Sequence, residues 1–101
     1  MKLVDQWHAM EADFPPDWED VRLTLTAEQA SDLPRAAQVL GSINVGRVGD
    51  TLVFHVRSGA GPQGKHTALR LFERLDRDRI WCHIAQSHVQ GQETFTTAAN
   101  G

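Results

Sequence analysis

Cysteine is almost missing from this chain. Cys82 is the only one, so no disulfide can close within it, and a reducing cytoplasm is the expected compartment. Long hydrophobic runs are missing as well. No apolar stretch approaches the roughly 18–20 residues that cross a bilayer. The opening Met1-Lys2-Leu3-Val4-Asp5 lacks the apolar segment of a secretory signal, so neither a membrane partner nor export is indicated. There is no internal repeat and no Pro/Gly-rich linker to divide the chain. An excess of one charge is also lacking, since the formal net charge is −3.

That small net charge hides an asymmetry. Residues 1–20 carry one lysine against six carboxylates, hence −5, and the remainder carries nine Lys/Arg against seven Asp/Glu, hence +2. Phosphate backbones call for a clustered basic face, so nucleic acid is not the expected partner. With 101 residues, 41% apolar and 23% charged, the chain fits one ordinary globular domain. Such a domain buries roughly two-thirds of its unfolded surface, enough for a core without staples.

Periodicity then sets out the elements. Leu3, Trp7, Met10 and Phe14 form one stripe of an amphipathic helix, which Pro15-Pro16 ends. Asp17 to Asp20 reads as an acidic connector. Val21 to Thr26 alternates strictly, as a half-buried strand does. Ala30, Leu33, Ala37 and Leu40 follow on one helical face. That helix starts either at a Thr26 capping box or at Asp32, with Pro34 in its first turn. Ile43–Val48 and Thr51–Arg57 read as a hairpin around Gly49-Asp50, a register that sets Val45 against Phe54. Ala68, Leu71, Phe72 and Leu75 give a further helical stripe, and Ile80–Ile84 a last strand. The expected division is a leader over 1–20, a body over 21–89 and a polar tail over 90–101. The order βαββαβ folds most naturally into a ferredoxin-like split βαβ α+β sandwich with an extra N-terminal helix.

One stretch invites a mechanism. Gly59-Ala60-Gly61-Pro62-Gln63-Gly64-Lys65-His66-Thr67 resembles a phosphate loop but puts His66 where the metal-binding hydroxyl belongs, and Pro62 removes one amide from the cradle. What survives is weaker: Gly61, Gly64, Lys65 and Thr67 at a helix N-terminus as a candidate anion site.

A second candidate is the sheet face turned away from the helices, where Arg22, Val53, His55, Arg57, Trp81 and His83 are expected. Its central strands lack the aromatic rings on which RNA bases stack. The N-terminal helix, through Trp7, Met10 and Phe14, or a second copy of the chain is expected to cover it. His55, His66, His83, His88 and Cys82 show no metal-ligand spacing, so no metal and no cofactor is expected. Cys82 falls on the buried face, where it acts as a small hydrophobe, and no nucleophile with its base is legible. The expectation is a non-enzymatic interaction domain forming a homodimer through its open face. The alternative is a receptor for a small anionic ligand, or an enzyme, using a cleft between sheet and N-terminal helix.

Overall fold

The computed structural model describes residues 1–91. A four-stranded antiparallel sheet carries three α-helices: α1 (Leu3–Glu11), β1 (Trp18–Ala27), α2 (Leu33–Val39), β2 (Val45–Val48), β3 (Thr51–Arg57), α3 (Lys65–Arg77) and β4 (Cys82–Gly91). The sheet order is β2-β3-β1-β4. Both connections that pass through a helix, β1 to β2 and β3 to β4, therefore skip a strand. A short 3₁₀ turn flanks α2 on each side, at Ala30–Asp32 and Leu40–Ser42.

Alternation sorts the side chains. Val21, Leu23 and Leu25 of β1, Leu52, Phe54 and Val56 of β3, and Cys82 and Ile84 of β4 are all buried beneath the helices. Phe72 of α3 meets Phe54 with ring centroids 6.1 Å apart. Trp7 of α1 packs edge-on against Phe14 and Trp18 and lies 6.2 Å from Phe72. The N-terminal helix thus belongs to the same layer as α2 and α3. Of the two covers expected for the other face, this overturns the N-terminal helix: Trp7 is fully buried and Phe14 is 8% exposed, both inside the common core.

Two polar devices fix α1 there. Asp76 of α3 accepts hydrogen bonds from the Leu3 and Val4 amides at 2.8 and 3.1 Å. It thereby caps α1 from a distant part of the chain. Gln6 lies along the outer edge of β4, donating from Nε2 to the Cys82 carbonyl at 2.9 Å and accepting at Oε1 from the Ile84 amide at 3.0 Å. A side-chain amide here does what another strand would do, and so closes part of an open sheet edge.

Several boundaries differ from expectation. Pro34 takes the second position of α2 and Asp32 precedes the helix, which settles its start; Thr26 lies in β1 instead. Ile43 is buried but precedes β2, since the 3₁₀ turn ends at Ser42. The hairpin register is as expected, Val45 opposite Phe54 and Val48 opposite Thr51. Gly49, with φ 60°, takes the left-handed position that glycine enters without strain.

β1 begins at Trp18 and absorbs the connector. β4 starts at Cys82, leaving Trp81 just outside it, and runs to Gly91. Gln90 and Gly91 are therefore strand residues, and the rest of the expected tail, 92–101, lies outside the described residues.

Candidate functional site

On the face turned away from the helices, cross-strand registers place side chains in rows. His88, Arg22 and His55 form one row across β4, β1 and β3, with Asp20 opposite Arg57 one step along. Ala85, Thr24, Val53 and Gly46 form the next row the other way. His83 pairs with Thr26, about 13 Å from the Arg22 row at 3.3 Å per residue.

The face residues expected from the sequence therefore separate. Arg22, His55 and Arg57 gather at one end, Val53 sits in the middle, and His83 and Trp81 stand at the other end. Trp81 is 38% exposed and its carbonyl accepts the Glu28 amide at 2.9 Å.

The charged end has defined geometry. His55 Nδ1 lies 2.7 Å from Asp20 Oδ2. An ionised carboxylate only accepts, so the proton sits on Nδ1 and the neutral ring keeps Nε2 as an acceptor. Gln63 links three segments: its Nε2 donates to the His55 carbonyl and its Oε1 accepts from the Asn44 amide, both at 3.0 Å. Ser87, the extra residue of a bulge in β4, accepts from Arg22 Nε at 2.9 Å and donates to the Arg22 carbonyl at 3.1 Å. Glu19, Asp20, Asn44, His55, Arg57 and Gln63 together frame an open depression of about 650 Å³. The Arg57 guanidinium makes no hydrogen bond or ion pair among the described residues, although Asp20 stands directly opposite in register.

The glycine loop is organised differently from a phosphate cradle. Gly64 donates its amide to the Gly61 carbonyl at 2.9 Å, and Thr67 Oγ1 donates to that same carbonyl at 3.1 Å. A Cβ on Gly64 would stand 2.3 Å from the Gly59 oxygen, so glycine is needed there for close backbone approach. Lys65 Nζ is 3.2 Å from Glu11 Oε2 and ties α3 to the end of α1. Gly61, Gly64 and Thr67 are thus brought together around a carbonyl oxygen, and Lys65 turns toward another carboxylate.

Cys82 is 2% exposed. Burial first, then the carboxylates of Asp32, Asp76 and Glu28, push its thiol up from 9.0 to about 11. A thiol held protonated this firmly is a poor nucleophile at neutral pH. No group of three or more metal-ligating side chains gathers among the described residues. No helix among them is long and apolar enough to cross a membrane.

Sequence reading missed Asp20, Asn44 and Gln63. Asp20 lay in the presumed connector, although it continues the alternation of Val21 and Arg22; the register shift falls just before it, between Trp18 and Asp20. Comparison of the chain with protein-family models, curated proteins and solved structures finds no match.

Proposed function

We propose that this chain is a non-enzymatic binding domain that self-associates through its uncovered sheet face, on a variant of the ferredoxin-like split βαβ scaffold. The strand order and the two helical crossovers support that scaffold, with α1 as an addition at the β4 edge. The observation that carries the function is the one-sided helix layer. All three helices pack on one face, which leaves the four paired strands without a second layer among the described residues.

A second copy suits that face for two reasons. Val53, Ala85 and Trp81 lie among polar groups, as in an interface that must also be soluble alone. Arg22 and Arg57 share the face with Asp20, so a two-fold pairing can set each arginine near a partner carboxylate. The cytoplasm, where the single cysteine stays reduced, is the proposed compartment.

Sedimentation equilibrium at micromolar concentration tests the proposal. A dimer is expected, and Val53→Arg should shift it to monomer while the melting temperature at matched low concentration changes little. A wild-type chain that stays monomeric at every concentration would overturn it.

A further inference from the structure

We propose that the depression at the charged end of the open face is a binding site for the head group of a small α-amino acid, with its carboxylate on Arg57 and its ammonium at His55. The inference goes beyond self-association and does not depend on it.

Arg57 supplies the first argument. A guanidinium is a planar fork that fits a carboxylate with two parallel hydrogen bonds. Register sets Asp20 directly opposite Arg57, the natural place for an internal pair. Asp20 instead holds His55 at 2.7 Å, and the fork is left without a partner among the described residues.

His55 supplies the second. Asp20 fixes the tautomer, so Nε2, on the far side of the ring from Nδ1, accepts a hydrogen bond in the neutral state. An ammonium or hydroxyl is the complementary donor. Gln63 holds the surroundings in place by bonding at once to the His55 carbonyl and the Asn44 amide, so the pieces need little ordering when a ligand arrives.

Charge decides between ligand classes. The lining carries two carboxylates, Glu19 and Asp20, and one guanidinium beside the His55 ring. A phosphate dianion gains one favourable contact and meets two repulsive ones. A zwitterion matches both signs: its carboxylate meets Arg57 and its ammonium meets the imidazole and the acidic rim. At about 650 Å³ and open to solvent, the depression has room for a side chain without specifying one.

The test is titration of the full chain with glycine and L-alanine, followed by NMR of the His55 ring and by calorimetry. Acetate, methylamine and inorganic phosphate serve as comparison probes. Saturable millimolar binding of glycine and alanine is expected, at least ten-fold tighter than any of the three comparison probes. Arg57→Gln should lower that affinity ten-fold or more while the melting temperature stays put, because Arg57 is exposed. His55→Gln should weaken it less. Phosphate binding as well as glycine, or Arg57→Gln binding glycine unchanged, or no saturable glycine response would each overturn the proposal. Titrations below the self-association concentration, where the amino-acid response is expected in full, separate this result from dimerisation; above it a partner carboxylate at Arg57 competes and a weaker response is expected.

Discussion

The two faces of the sheet are made from the same strands, yet neighbouring residues on one strand lead opposite lives. Val21, Leu23 and Leu25 are fully buried, and Arg22 between them is exposed. Cys82 is sealed under the helices, whereas His83 faces water. On the covered face, burial of area sets the energetics, because each apolar atom leaves water and gains packed neighbours. On the open face the groups keep their solvent, so their mutual contacts are worth little and their availability to a partner is what remains. Stability thus rests on the covered side.

The division can be broken most severely at Phe72, which touches both Phe54 and Trp7. Phe72→Ala should cost about 3–5 kcal/mol in urea unfolding, whereas Arg22→Ala on the other side should stay within about 0.5 kcal/mol. Equal losses would show that the open face is part of a core.

Cys82 sharpens the comparison through pH. Its thiol is raised in the fold, so its neutral form favours folding. That contribution is complete below 9.0 and fades as pH climbs toward about 11. A shift of that size amounts to about 2–3 kcal/mol. Denaturant midpoints between pH 8 and 11 should therefore fall more steeply for the native chain than for Cys82→Ala. Matching slopes would mean that the thiol is not sealed.

The helix layer itself is tested at Asp76. Asp76→Ala leaves two α1 amides without their acceptor and should cost about 1–2 kcal/mol. Amide exchange should quicken first in α1, with β3 unaffected. The smallest effect lies at the exit of α3, where Ile80 donates to the Leu75 carbonyl and Arg79 to that of Asp76, at 3.0 and 3.1 Å. Arg79 holds φ 57° there, a left-handed conformation that costs a side-chain-bearing residue about 1 kcal/mol. Arg79→Gly should recover about that much, read as a higher melting temperature.

What could be read in advance follows from which elements kept a clean period. β1 from Val21, β3 and α3 alternate or repeat without interruption, so their inward residues were legible. The far half of β4 was not: Ile84 and Val89 both turn toward the helix side, but the extra residue at Ser87 makes their spacing odd. The charged site was half legible. His55, Arg57 and Arg22 lie on regular strands, while Asp20 follows a register shift and Asn44 and Gln63 come from irregular segments. No local pattern announces that the 63rd residue will bond to the 55th and the 44th.

The sequence by itself determined the elements that are strictly periodic, the turn at Gly49-Asp50, the inward residues of β1 from Val21, β3 and α3, and the inertness expected of Cys82, because each depends on neighbours a few residues away. Tertiary structure alone decided which face α1 would cover, that Asp76 would cap it and Gln6 would line the β4 edge, and that Asp20 would hold His55 while Arg57 finds no partner among the described residues. Those outcomes depend on groups 35 to 78 positions apart meeting in space, and chain separation of that kind leaves no trace in local composition.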